Sequence, residues 1–398
     1  MKNQLKIAIY SGSIPSTTFI ENSIEEVAKE HKVLLFGNIK QKTVYKSKNI
    51  KIIETPYNKW KYIPLTLWRM ARLLVSHPKR ILIAYNRAKQ YPTNYLKLIR
   101  FTRYIAVMLY LPDIFHLQWA RRIERWTFLR EHFDCKILLG LLGTQIAIAP
   151  YNNLHLADSF RKHFPQVDGF NAVSRHTANE ALKYGANPEV IKIIPMPINQ
   201  KAFEMFRLPV KQTKRAFRMV SVGRHNWVKG YSYAIEAVKK VIETNLQIEY
   251  TIIAAGKPEE ELIFQTHQLG LGAIINFKGK MDQSELFREL QNYDLMLLPS
   301  VSEGIANVVV EAMALGVPVL TTNCGGMNEI VQDNQTGWLV PTRNSEAIAV
   351  ALKKIMGFQQ IQIQTVAQKA HDRVKNEFHP QRCMPQYINW YEAHSNET

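Results

Sequence analysis

The chain has 398 residues with 51 Lys+Arg against 33 Asp+Glu, a formal net charge of +18. That length calls for two domains, because single cores stop growing at about 250–300 residues. An apolar share of 46% with 21% charged residues excludes a disordered chain. Three isolated cysteines, Cys135, Cys324 and Cys383, exclude a disulfide scaffold, and no Cys/His cluster predicts a metal site. The opening MKNQLKIAIYSGS lacks a signal-type apolar segment, and no uncharged apolar run reaches ~18 residues. The expectation is a protein of a reducing compartment that does not span a membrane.

Residues 5–10 (LKIAIY) predict a strand, 11–18 a polar loop, 19–31 an amphipathic helix and 32–36 a second strand. Further strands are predicted at 113–119, 136–142, 169–173 and 190–194, with a helix at 177–184 ending at Gly185. Residues 206–218 are basic, contain Pro209, lack periodicity and read as a linker. The alternation then restarts. Strands at 218–222, 248–255, 273–278, 294–299, 318–321 and 337–340 enclose helices at 230–244, 259–269, 284–293 and 306–315, with a short helix near 328–331. Such alternation implies parallel sheets covered on both faces, an α/β fold. The expected division is residues 1–205, the linker, 219–375, and a last helix in 376–398 that packs back on the first domain. Ligands bind at the carboxyl ends of the strands, so the cleft between the domains is the expected site.

The charge is not spread evenly. Residues 1–200 hold 30 basic and 13 acidic residues, and residues 201–398 hold 21 and 20. Residues 55–112 hold 11 Lys+Arg and no acidic residue, interleaved with Tyr57, Trp60, Tyr62, Trp68, Tyr85 and other aromatics. Three readings are open for this segment: a solvated basic face, a nucleic-acid groove, or a surface that meets anionic lipid headgroups. The second half of the chain favours the last.

There, DLMLLP (294–299) runs through a Ser/Glu/Gly loop directly into a helix. This geometry aims backbone N–H groups and the positive end of a helix dipole at the cleft. Glu311 lies one turn beyond Asn307, among apolar neighbours, where a carboxylate needs a partner. It is placed either to accept hydrogen bonds from vicinal hydroxyls of a ligand or to make a local ion pair. The second motif is VGRHNWVKG (222–230), in which Gly223 permits a tight turn and Arg224 and Lys229 emerge before the next helix. Two cations on one strand-end loop clamp a diphosphate, Arg by a fork and Lys as a point charge.

Together these motifs resemble family 4 retaining glycosyltransferases, which have the GT-B architecture of two doubly wound Rossmann-like domains facing across a cleft. The resemblance rests on VGR(224)xxxxK(229)G, the Glu303-x7-Glu311 pair, GVPVLTT, Gly325-Gly326-x-x-Glu329-Ile330-Val331 and Thr336-Gly337-Trp338-Leu339-Val340-Pro341. It implies that Arg224 and Lys229 neutralise the diphosphate of a nucleotide sugar, and that Glu311 binds its ribose hydroxyls. Glu303 and the backbone of Gly304, Ile305, Ala306 and Asn307 would then contact the sugar and phosphates. On the acceptor side it points to Gly12, Thr18 and His116. The sequence departs from the family where Leu142-Gly143 replaces a His-Gly pair and Met196-Pro197 an Asn-Gly pair. The implied activity is transfer of a sugar to a lipid-linked or membrane-proximal saccharide in surface-glycan synthesis, with no cofactor, no metal and no nucleic acid. The basic segment 55–112 would meet the inner face of the plasma membrane. A non-catalytic nucleotide-sugar-binding subunit is the alternative that Leu142 leaves open.

Overall fold

The computed structural model describes residues 4–212 and 214–395, apart from the side chains of Thr18, Phe19 and Lys59. Seven strands form the first sheet: β1 (Lys6–Ile14), β2 (Lys32–Ile39), β3 (Ile50–Glu54), β4 (Ile114–Leu117), β5 (Lys136–Leu141), β6 (Gly169–Ala172) and β7 (Ile191–Ile193). Six form the second: β8 (Phe217–Arg224), β9 (Ile248–Ala255), β10 (Ile275–Lys278), β11 (Leu295–Leu298), β12 (Val319–Thr322) and β13 (Trp338–Val340). The orders are β3-β2-β1-β4-β5-β6-β7 and β10-β9-β8-β11-β12-β13, with neighbours parallel. Helices cover both faces, so central strands such as β4 and β11 are buried throughout and read as apolar runs. Strand order reverses between β1 and β4 in one sheet and between β8 and β11 in the other. Such switch points open crevices at the carboxyl ends of the strands.

The structure departs from the sequence expectation in the first domain. β1 continues to Ile14 through an irregularity between Ile9 and Gly12, so Gly12 lies in the strand and not in the loop predicted over 11–18. Residues 50–112, for which no elements were predicted, form β3 and the helices Lys59–Ser76, Pro78–Lys89 and Asn94–Tyr110. Asn58 and Thr93 cap the first and third of these by accepting from Trp60 N and Leu96 N. Pro78 opens the second, where a missing N–H is harmless.

The segment that leads to β8 is anchored on the second domain. Lys211 Nζ donates to the Met356 and Phe358 carbonyls at 2.9 and 2.6 Å, and Arg215 grips Asp294 with both terminal nitrogens. The helix Gln360–Phe378 packs on the second domain, whereas the helix Pro380–Glu392 crosses to the first. There Met384, Tyr387, Trp390 and Tyr391 share a core with Ile7, Ile9, Ile24 and Leu138. Tyr387 Oη donates to Asn171 Oδ1 at 2.8 Å.

Candidate functional site

The second domain's switch point brings its two motif loops together. Val301 N donates to Val228 O at 2.7 Å, and Gly230, at a φ of 63°, approaches Pro299 so closely that a methyl would sit 2.2 Å from its carbonyl oxygen. Across this junction Lys229 Nζ lies 2.7 Å from Glu303 Oε1, which also accepts from Ser300 Oγ at 2.8 Å. Both charges are largely buried, so the pair feels little solvent screening. Gly223 leaves room for it: a methyl there would meet Tyr231 Oη at 2.7 Å and Lys229 Cε at 3.0 Å. Arg224 is exposed, lines the same cleft and makes no ion pair among the described residues. The helix Asn307–Leu315 begins beside it. Its N-cap is Ala306, which has no side chain to accept from the first-turn amides; Val309 N turns back to Ala306 O at 2.9 Å, and the Asn307 and Val308 amides are left to meet an anion.

The cleft, about 530 Å³ in volume, is lined by Gly223, Arg224, Lys229, Asn307 and Glu311 from the second domain and by Thr17 and Asn22 from the first. Glu311 Oε1 accepts from Gln283 Nε2 at 2.8 Å, and Gln283 Oε1 accepts from Asn199 Nδ2 at 2.9 Å. Burial pushes the Glu311 carboxyl up from 4.5 to about 7, and the Gln283 hydrogen bond opposes that rise. Among the described residues no cation pairs with Glu311, so the local ion pair weighed from sequence is not seen there. Gln283, Asn199 and Ser300 were missed by the sequence reading. Ser300 had a signal in its place three residues before Glu303, but Gln283 and Asn199 reach the site only through tertiary packing.

The loop after Glu303 touches the first domain. Gly304 packs against Gly143 and Val173, with a methyl placed 3.1 Å from each. Gly325 and Gly326 close on the Glu303 and Gly304 carbonyls from the other side. Glu329 then spans the domains: its two carboxylate oxygens accept from Arg175 N and His176 N at 2.8 and 2.9 Å, the first amides of the helix Arg175–Leu182. A carboxylate there complements the helix dipole and ties the domains together. Leu142 packs against the first domain's core.

The acceptor-side candidates separate. Gly12, at a φ of 89°, lies under the Arg122 guanidinium at the end of β1. The Thr18 side chain lies outside the described residues. His116 does not reach the cleft. It is 1% exposed, its Nδ1 shares hydrogen bonds with Tyr391 Oη at 2.7 Å and Gln118 Nε2 at 3.1 Å, and burial lowers its pKa to about 3. On a strand flanked by β1 and β5 it faces the crossing helix Pro380–Glu392, which makes it a packing residue.

Residues 203–370 match the family model of glycosyl transferases group 1. WcaL of Escherichia coli (strain K12), named for colanic acid biosynthesis, is 29% identical over 233 residues, 57% of each chain. AmsK of Erwinia amylovora, an amylovoran biosynthesis glycosyltransferase, is 29% identical over 56% of each chain. The matched part thus spans a little over half the length of these relatives. Among solved structures, Anabaena Alr3699/HepE in complex with UDP and glucose superimposes with a TM-score of 0.70 at 15% identity, covering 98% of this chain and 100% of that one. The chain therefore has the two-domain GT-B fold, and its second domain matches the group 1 glycosyl transferases.

Proposed function

We propose that the protein is a glycosyltransferase that moves a sugar from a nucleoside-diphosphate sugar to a lipid-linked or membrane-proximal saccharide in surface-polysaccharide synthesis. The observation that carries this reading is the buried Lys229–Glu303 pair beside an uncapped helix N-terminus, in one cleft with Glu311. As the bond from anomeric carbon to phosphate breaks, its electron pair passes to the leaving diphosphate. Arg224, Lys229 and the amides of Gly304, Ile305, Ala306 and Asn307 stabilise that developing charge, a contribution that is often the largest in catalysis. Glu303 holds the Lys229 ammonium and contacts the sugar, and Glu311 accepts from the ribose hydroxyls. The acceptor hydroxyl attacks from the face the diphosphate leaves, so configuration is retained, and the leaving phosphate takes its proton. The positive charge comes from the chain itself, so no metal is required. Incubation with a panel of labelled nucleotide sugars and a bacterial membrane extract tests this. The expected result is release of nucleoside diphosphate and labelling of an extractable lipid, both unchanged by EDTA. Absence of turnover with every donor would overturn the reading.

The membrane side of this proposal rests on the helix Lys59–Ser76. Tyr62, Thr66, Arg69 and Leu73 face inward, while Trp60, Ile63, Leu67 and Leu74 form an outward stripe at helical spacing. Trp60 is 79% and Leu67 60% exposed, and Lys61 and Arg72 flank the stripe. An apolar face with aromatic and basic borders suits an in-plane helix at an anionic lipid surface. No described helix is long and apolar enough to cross a membrane, so attachment would be peripheral, at the inner face of the plasma membrane. Sedimentation with phosphatidylglycerol vesicles should pull down the wild type, and the W60E/L67E variant should bind about tenfold more weakly at an unchanged melting midpoint. Equal binding to neutral vesicles would return the stripe to a plain surface.

A further inference from the structure

We infer that three arginines on the first domain's side of the cleft, Arg100, Arg122 and Arg125, form a phosphate site for the acceptor. This deepens the transferase reading proposed above and rests on it. Arg122 and Arg125 stand on the short turn Ala120–Arg125 that follows β4, and Arg100 comes from the helix Asn94–Tyr110. The Arg122 guanidinium lies over Gly12, so that a methyl there would be 2.6 Å from its Nη1. Gly12 is in β1 near its carboxyl end, and β1 and β4 are the strands between which this sheet reverses order. Arg122 thus stands at the first domain's switch point, at the carboxyl ends of β1 and β4.

Its charge is poorly compensated. Among the described residues, Arg122 Nη1, Arg100 Nε and Arg125 Nε are buried without a hydrogen-bond partner, and Arg100 is only 9% exposed. Burial, then the charges of Arg100 and Arg122, lower the pKa of Arg125, so Arg125 lies within the reach of both charges. Glu124 is the carboxylate that answers them, 3.7 Å from Arg125 Nε, and it also accepts from Ser159 Oγ. Arg100 otherwise stacks on Tyr91, 5.1 Å from the ring centre. One buried and two half-buried guanidiniums against one carboxylate leave an anion to be supplied. Guanidinium forks match phosphate oxygens bidentately. The donor's diphosphate is held across the cleft by Arg224 and Lys229, so this second anion belongs to the acceptor. Its chemistry is a phosphate or diphosphate, carried by a lipid-linked saccharide or by a free phosphorylated sugar.

Calorimetric titration of inorganic pyrophosphate into the R224A/K229A protein tests the site with the donor side disabled. The expected result is one binding event, weakened about tenfold or more by adding Arg122→Gln and, separately, Arg125→Gln, and less by Arg122→Lys, which keeps the charge and loses the fork. Melting midpoints of each variant identify any that fail to fold, and the two glutamine variants check one another. No binding to R224A/K229A, or binding unchanged by both glutamine substitutions, would overturn the inference. Geranyl diphosphate binding about tenfold more tightly than pyrophosphate supports a lipid-linked source, and equal binding supports a free phosphate ester. Nucleotide-sugar binding by the wild type is a separate titration. Its failure would sink the transferase reading while leaving the pyrophosphate result standing.

Discussion

Replacing Lys229 with alanine lowers the turnover of sugar transfer by about 10²–10³-fold, the loss typical when one preorganised donor to a developing anion is removed. The ammonium sits 2.7 Å from Glu303 and has three donors, so it can hold Glu303 and a departing phosphate oxygen together. Alanine removes the cation and leaves a largely buried Glu303 carboxylate with Ser300 as its remaining partner. Two penalties then coincide: lost charge on the leaving group and an uncompensated negative charge beside it. Arginine at the same position restores charge without the same reach, so K229R falls between the two. KM for the donor should change less than kcat, because the contact strengthens as the phosphate leaves. Steady-state rates of nucleoside-diphosphate release measure both. A K229A turnover within about threefold of wild type would remove Lys229 from the mechanism.

The second large effect is a pH dependence set by Glu311. Its carboxyl is raised from 4.5 to about 7 by burial, so its ionised fraction climbs from about one-tenth at pH 6 to about nine-tenths at pH 8. Ribose hydroxyls donate to the ionised form. Nucleotide-sugar affinity should therefore rise about tenfold over that interval, where the diphosphate diester does not itself titrate. Glu311→Gln abolishes the pH dependence and weakens binding by about 1.5–3 kcal/mol, the worth of hydrogen bonds to a charged acceptor. Stability moves the other way. A folded-state pKa above the unfolded one means that stability is fully present below pH 4.5 and is lost as pH rises through about 7. Ligand-free E311Q should thus melt higher than wild type at pH 8 and alongside it at pH 4.5. Titrations and melts at both ends of the range check this, and an E311Q protein with wild-type affinity would contradict the ribose assignment.

The parts of the site that were legible from sequence share one property. Arg224, Lys229, Glu303 and Glu311 lie on loops and a helix start that follow directly from buried strands, so the order of elements alone delivers them to one switch point. What escaped detection was tertiary. Gln283 reaches Glu311 from the neighbouring helix Gln283–Leu290, and Arg122 settles over Gly12 from a turn more than a hundred residues away in the chain. His116 looked like a cleft residue because the strand predicted over 113–119 resembles an inner strand of the family's acceptor side. The crossing helix Pro380–Glu392 covers its side chain instead, through Tyr391. The helices over residues 59–110 went unassigned, although the first of them is amphipathic. It sets apolar residues at helical spacing on two faces, with Leu73 inward and Trp60, Leu67 and Leu74 outward, so spacing alone does not say which face is buried. The same feature is what makes that face a candidate for lipid.

The charge follows the division of labour. The excess sits in the first 200 residues, where 30 basic residues face 13 acidic ones. Part of it lies on the outward helix and part in the arginine cluster, and the second domain, nearly neutral, carries Arg224 and Lys229 on the loop proposed to hold the donor's diphosphate.

Every role proposed for the second domain's cleft depends on its holding a nucleotide sugar. Thermal melting across a panel of nucleotide sugars, in the wild type and in a K229A/E311Q protein, tests that most directly. One donor at about a hundred times its dissociation constant should stabilise the wild type by about 2.7 kcal/mol and the double variant far less. Equal stabilisation of both proteins, or none by any donor, would contradict it.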